Sequence, residues 1–330
     1  MTSETAMMRV IEMAGAGGPE VLVPAQRDVP VANAGEVVVK VAYAGVNGPD
    51  LMQRRGLYPP PPGASDLLGL EIAGEVVALG PDAKRLKQGD LVCALTNGGG
   101  YAEYCAVLED HCLPVPAQMA LADAASLPEA YFTIWSNVFM GARLAAGETL
   151  LVHGGAGGLG SAAIQLGKAF GAKVVATDNP QQRLAFCTSL GADRVVDYIA
   201  EDFVDVVRKE FGGADVIVDI VGGSNIQKNI KTARHDGRMI QLAFALGAKV
   251  ELDVMPLMLK RLHYTGSTLR SRSDAYKSEV ASQLVERVWP LFAQRRLRAV
   301  VGRTLALEEA ADAHRLMESA GHFGKIVLKT

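Results

Sequence analysis

Thr149-Leu150-Leu151-Val152-His153-Gly154-Gly155-Ala156-Gly157-Gly158-Leu159-Gly160-Ser161-Ala162-Ala163-Ile164-Gln165-Leu166-Gly167 is the stretch whose reading decides the fold. Its β-favouring start runs into a glycine-dense turn, and the turn opens into a helical pattern with Leu159, Ala162, Ala163 and Leu166 on one face. The spacing predicts strand, tight loop and helix. Gly155, Gly157 and Gly160 satisfy G-x-G-x-x-G: the first permits the turn, the second lets backbone approach a pyrophosphate, and the third lets the helix pack closely on the strand. The helix N-terminus offers N–H groups and partial positive charge to phosphates. Eighteen positions after Gly160 stands Asp178, ending the next apolar run Lys173–Thr177 and placed for a ribose diol. Together these features predict a nucleotide site.

Around that core the chain alternates strands and helices from about Pro128, the signature of parallel βαβ units. Expected strands are Leu150–His153, Lys173–Thr177, Arg194–Asp197, Val216–Asp219, Met239–Leu242 and Tyr264–Ser267, enough for a doubly wound sheet; Pro180–Leu190 is an expected helix. Residues 8–127 read as β-rich, with strands at Glu36–Tyr43, Glu71–Gly80 and Asp90–Leu95. Asn47–Ala64 reads as a loop, because Pro49 and Pro59–Pro62 fit neither a helix interior nor a central strand. After Leu269 come an amphipathic stretch (Ser278–Ala293), a strand (Val300–Leu305), a helix (Leu307–Ser319) and a strand (Ile326–Lys329). That tail is too short for its own domain and is expected to complete the N-terminal one. The organisation is therefore α/β, with a β-rich domain of residues 1–127 and 271–330 and a dinucleotide-binding domain of residues 128–270.

The 330 residues suffice for two domains, and the net charge of −3 provides no cationic field for nucleic acid. Without an apolar run of about 18 residues or a charged-then-apolar leader, the expectation is a cytoplasmic protein off the membrane. Cys93, Cys105, Cys112 and Cys187 lack C-x-x-C spacing and read as buried thiols.

Several strings are similar to those of a known family. They are Ala44-Gly45-Val46-Asn47-Gly48-Pro49-Asp50-Leu51-Met52-Gln53-Arg54-Arg55-Gly56-Leu57-Tyr58-Pro59, Gly69-Leu70-Glu71-Ile72-Ala73-Gly74, Gly100-Tyr101-Ala102-Glu103-Tyr104 and Leu127-Pro128-Glu129-Ala130. With these the chain resembles the zinc-free quinone oxidoreductases (zeta-crystallin-like) of the medium-chain dehydrogenase/reductase superfamily. Leu269-Arg270-Ser271-Arg272 and Gly324-Lys325-Ile326-Val327-Leu328 are similar to the subgroup containing the tumour-suppressor-induced quinone oxidoreductase. The resemblance spans nearly the whole chain. It implies a GroES-like catalytic domain, a Rossmann domain, NADPH or NADH as hydride donor, a small quinone or enone as acceptor, and a homodimer joined through Rossmann sheet edges. Where zinc-dependent relatives place a cysteine and a histidine, this chain has Asn47 and Leu70, so no metal is expected.

The resemblance also assigns the site. Tyr58 would hydrogen-bond or protonate the acceptor oxyanion, with packing of the proline run as the alternative. Asn47 would face the nicotinamide, or serve as a turn residue before Gly48-Pro49. Asp50 is expected to order the loop. The cofactor set comprises Asn47, Thr133, Gly155, Ala156, Gly157, Gly158, Leu159, Gly160, Asp178, Asn179, Arg183, Tyr198, Leu242, Ala243, Phe244, Ser267, Thr268, Leu269 and Lys325. Helix capping also accounts for Thr133, loop packing for Tyr198, and an exposed strand position for Lys325, otherwise directed at the cofactor phosphates. His153 reads as a packed strand-end histidine. Arg183 and Tyr198 favour NADPH, whereas an Asp178 carboxylate beside a 2′-phosphate favours NADH. With Asp178 fixed on its strand and Arg183 able to swing to solvent, the balance leans to NADH. Competing activities are a 2-enal, enone or enoyl-thioester reductase, with Arg270 and Arg272 at a channel mouth, and a non-catalytic NAD(P)H-binding protein.

Overall fold

The computed structural model describes residues 6–319 and 321–330, and the chain divides into two compact units. One comprises residues 1–132 and 270–330, the other residues 133–269. The first division falls inside the helix Pro128–Ile134, five residues beyond the expected boundary. Pro128–Phe132 stay with the first unit because Glu129 N–H donates to Glu71 Oε2 (2.9 Å) and the Tyr131 ring packs on Trp289 and Phe292.

The second unit is a six-stranded parallel sheet. Its strands lie in the order Arg194–Asp197, Lys173–Asp178, Thr149–His153, Ala214–Asp219, Ala233–Gln241, His263–Gly266. Thr149–His153 is buried at every position, as a strand covered on both faces must be. From it the chain builds outward to Arg194–Asp197 on one side, then returns to Ala214–Asp219 on the other. This reversal opens a crevice beyond the C-terminal ends of the two central strands, where doubly wound folds bind ligands. Leu151, Val175, Ile217, Ile230 and Met239 form part of its core.

The first unit is built on a seven-stranded sheet. Glu36–Val46 pairs antiparallel with Glu71–Leu79 and Tyr104–Leu108, and the latter face of the pairing continues through Leu91–Leu95 to Cys112–Pro114. The strand Lys325–Lys329 lies between Glu36–Val46 and Val301–Ala306, antiparallel to the first and parallel to the second. Val37, Val39, Ile72, Val76 and Tyr101 share one core with Ile326 and Leu328, which places residues from both ends of the chain in one apolar interior.

Two local expectations are corrected. The expected loop 47–64 contains a helix, Gly48–Arg54, with Pro49 in its first turn, where the missing N–H costs no helical bond. The amphipathic stretch starts at Asp274, where Ser273 Oγ accepts from Tyr276 N–H. It breaks at Val288, ahead of Pro290, into Asp274–Arg287 and Trp289–Ala293.

Candidate active site

In the second unit the glycine loop joins Thr149–His153 to the helix Gly158–Ala169. A Cβ on Gly160 would lie 2.2 Å from Gly154 O, so no other residue fits there. A Cβ on Gly157 would meet only that same oxygen, at 3.5 Å, so this side of the loop faces open space that a phosphate can enter. No side chain caps the helix, leaving the first-turn N–H groups of Gly158, Leu159 and Gly160 without helical carbonyls to bond. The cradle therefore fits a dinucleotide pyrophosphate. Gly155 and Ala156 form the turn itself.

Asp178 does not present a bare carboxylate to this space. Its Oδ2 accepts from Ala156 N–H (2.7 Å) and its Oδ1 from Asn179 N–H (2.8 Å), while Arg183 Nε donates to Oδ1 (2.6 Å). Both partners of the ion pair are sheltered, with side chains 5% and 13% exposed. The expectation that Arg183 swings to solvent is thus corrected: in this arrangement the carboxylate anchors the glycine loop and holds the guanidinium beside it. Asn179 also donates to Asp197 Oδ1, and Tyr198 stands exposed just beyond. Leu242, Ala243 and Phe244 follow the strand Ala233–Gln241, and Ser267, Thr268 and Leu269 follow His263–Gly266, all at C-terminal strand ends. Thr133 is buried near the start of the unit, its carbonyl accepting from Ser136 and Asn137.

His153 is a packed strand-end residue, bonded to Thr177 Oγ1 and Asn229 Oδ1, both at 2.8 Å. Asn229 in turn donates to Asp219, whose carboxylate accepts the N–H groups of Val221 and Gly222. Sequence reasoning missed this brace at the end of the strand Ala214–Asp219, because Asn229 is remote in the chain.

The first unit holds a second polar cluster. Asn47 precedes the helix Gly48–Arg54, and Asp50 on that helix accepts from the N–H groups of Asn47 (2.8 Å) and Gly69 (3.0 Å). Asn47 Nδ2 donates to Glu71 Oε1 (2.9 Å), and its Oδ1 accepts from Lys325. Lys325 also forms an ion pair with Glu71, with side chains 7% and 0% exposed. Its ammonium is spent inside this unit, which corrects both the phosphate contact and the exposed strand position expected of it. Burial pushes Asp50 up to about 6, partly offset by the N–H groups of Gly69 and Asn47. Behind Asp50, Arg54 Nη1 donates to His314 Nδ1 (3.2 Å), so the His314 proton sits on Nε2 and faces Tyr101 Oη (3.0 Å).

Tyr58 is half-buried, and its hydroxyl makes no hydrogen bond among the described residues. The Arg270 guanidinium lies 5.7 Å from its ring centroid. Arg270 is buried and held by neutral acceptors, Asn97 O and Gln53 Oε1 (2.6 Å). Lys277 is likewise buried on neutral oxygens, Asn97 Oδ1 and Arg270 O. Burial and then Glu129 raise the Tyr58 pKa, while Arg270 lowers it. Arg272, by contrast, stacks on Tyr276 at the surface, so the two arginines do not form one channel mouth. Among the described residues, no group of three or more His, Cys, Asp or Glu is placed to hold a metal ion, and all four cysteines are buried.

Known proteins match both units. Residues 33–117 match the family described as alcohol dehydrogenase GroES-like domain, and residues 158–286 the family described as zinc-binding dehydrogenase. A quinone oxidoreductase of Mus musculus is 31% identical over 341 residues, 99% of each chain. The chain belongs to the quinone oxidoreductase family. Its members within the medium-chain dehydrogenase/reductase superfamily combine the GroES-like and Rossmann-like units seen here. A solved NAD-dependent alcohol dehydrogenase is 31% identical, covering 98% of this chain and 99% of its own, with a TM-score of 0.86. A mycobacterial protein solved with NADPH is 27% identical, covering 98% and 100%, with a TM-score of 0.88. In this family the cofactor is NAD(P)H. Among the described residues, no helix is long and apolar enough to cross a membrane.

Proposed function

We propose that this chain is an NAD(P)H-dependent quinone oxidoreductase that works without a bound metal. The carrying observation is Tyr58: its hydroxyl has no partner among the described residues and its ring sits beside a buried guanidinium, in a chain that matches quinone oxidoreductases end to end. The cofactor, when bound, supplies a hydride. The protein's task is then to orient the acceptor, stabilise the negative charge developing on its oxygen and deliver one proton. Tyr58 serves that oxygen as hydrogen-bond donor, with Arg270 adding positive potential. The position of a zinc ligand is taken by an amide, Asn47, and Glu71 is neutralised by Lys325, a donor set unsuited to a metal. A small panel of quinones and enals, assayed with NADH and NADPH before and after chelation, tests this. Turnover of quinones that survives chelation is expected; turnover of enals alone would move the chain to the enone reductases. Arg270, tied to Asn97 and Gln53, gives the enoyl-thioester alternative no added support.

For the cofactor we infer a preference for NADPH, reversing the lean drawn from sequence. The Asp178 oxygens are already engaged by Ala156, Asn179 and Arg183, leaving little for a ribose diol, and Arg183 offsets the charge that would repel a 2′-phosphate. Arg183→Ala should weaken NADPH binding by roughly ten- to a hundredfold, the scale of one hydrogen bond to a charged group, and affect NADH less. Parallel titrations decide it, and wild type binding NADH tenfold tighter than NADPH would reject the inference. A homodimer is proposed through the edge strand His263–Gly266, which is paired on one side and exposed along its length, near exposed Met255, Met258 and Leu259. Light scattering that gives a monomer mass removes that proposal.

A further inference from the structure

One carboxyl in the first unit has no assigned task. Glu129 is half-buried at the start of the helix Pro128–Ile134, with its backbone N–H on Glu71. Among the described residues its side chain accepts no hydrogen bond and forms no ion pair. An acidic side chain left bare in such a place is unusual, since buried polar groups are ordinarily partnered. Six groups surround it electrostatically: Asp50, Glu71, Lys325, Arg270, Tyr58 and Lys277. Glu71 is bonded to Lys325, and Asp50 to backbone N–H groups. Arg270 and Lys277 rest on neutral oxygens, so neither cation is neutralised by a bonded carboxylate. Two groups of the cluster then remain unbonded, the Tyr58 hydroxyl and the Glu129 carboxyl, and Arg270 interacts with both.

We propose that Glu129 is the proton reservoir for quinone reduction, passing its proton to the reduced acceptor through Tyr58. The proposal rests on the quinone reductase reading above. Hydride addition reduces the quinone to a hydroquinone anion and oxidises NAD(P)H to NAD(P)+. The Tyr58 O–H bond breaks as its proton moves to that oxyanion, and the Glu129 carboxyl O–H then breaks to restore the phenol. Solvent finally reprotonates the Glu129 carboxylate, so one hydride and one proton are consumed per turnover. Burial, reinforced by Glu71, pushes the Glu129 carboxyl up to about 8, so it is protonated at neutral pH. Tyr58 is raised above the ordinary tyrosine value, which makes transfer from Glu129 to a Tyr58 phenolate downhill. The Arg270 and Lys277 charges stabilise the carboxylate left behind.

The test compares wild type, Glu129→Gln, Glu129→Asp, Tyr58→Phe and the Tyr58/Glu129 double variant across pH. Wild-type kcat should fall above about pH 8, where Glu129 ionises. Glu129→Gln should lower kcat at neutral pH by roughly tenfold or more and abolish that alkaline limb, with cofactor affinity unchanged. Glu129→Asp should retain the limb. Because the two residues act in series, the double variant should be no slower than the slower single one. An independent readout is stability: the folded carboxyl keeps a proton that the unfolded chain releases above its ordinary value of 4.5, so the group costs stability as pH rises from 4.5 to about 8. The denaturation midpoint of Glu129→Gln should therefore exceed that of wild type by a margin that grows across this window. A wild-type enzyme active on quinones alongside a Glu129→Gln variant with unchanged kcat and the same alkaline limb overturns the reservoir role alone. A pH-independent midpoint difference overturns it too. A wild type that turns over no quinone overturns the activity reading, and the reservoir role with it.

Discussion

Replacing Tyr58 with Phe is expected to lower kcat for quinone reduction by roughly ten- to a hundredfold, the scale of one oxyanion hydrogen bond, while leaving cofactor affinity unchanged. The hydroxyl makes no bond within the protein among the described residues, so its removal strands no buried partner and should leave stability near wild type. The ring remains beside Arg270, which confines the loss to the donor itself. Stopped-flow turnover with a fixed quinone, beside cofactor titrations, separates the two parameters. A variant with wild-type kcat would reduce Tyr58 to packing the proline run.

The largest effect on stability is expected from Lys325→Met. Glu71 would remain fully buried with Asn47 Nδ2 and Glu129 N–H as donors but no cation. Removing one partner of a buried pair costs about 3–5 kcal/mol, mainly through the uncompensated charge left behind. Urea denaturation should show this loss, and Lys325→Met combined with Glu71→Gln should recover more than half of it, since the double variant buries no charge. A single-variant loss below about 1 kcal/mol would mean that water or rearrangement reaches Glu71.

How much of this was legible in the sequence depended on the range of the interaction. The strand, loop and helix around Gly155–Gly160 were readable because each signal is local: the period of the apolar residues and glycines at fixed offsets. The six Rossmann strands followed from the same periodicity. The helix Gly48–Arg54 was hidden by counting prolines without asking where Pro49 stands, since the first turn tolerates what the interior does not. Asp178 was correctly placed at a strand end, but which way its carboxylate turns is decided by Ala156, twenty-two residues earlier, and by Arg183. The partners of Lys325 lie in strands some 250 residues or more away, and nothing in a lysine before an apolar run announces them. Glu129 stood in a quoted motif, yet its surroundings come from the loops and elements carrying Asp50, Tyr58, Arg270 and Lys325, which no spacing relates.

The strand Lys325–Lys329 lies inside its sheet, with neighbours on both sides. Synthesis therefore imposes an order on assembly. Residues 133–269 are contiguous and can close their sheet as soon as they leave the ribosome. The first unit cannot: until residue 325 emerges, Glu36–Val46 and Val301–Ala306 lack the strand that joins them, and Glu71 lacks its cation. For most of translation, then, the part of the chain made first waits with an open sheet edge, the feature by which immature chains pair with one another. Chaperone demand during biosynthesis accordingly falls on the N-terminal strands, and shortening the C-terminus even slightly would leave them permanently in the nascent condition.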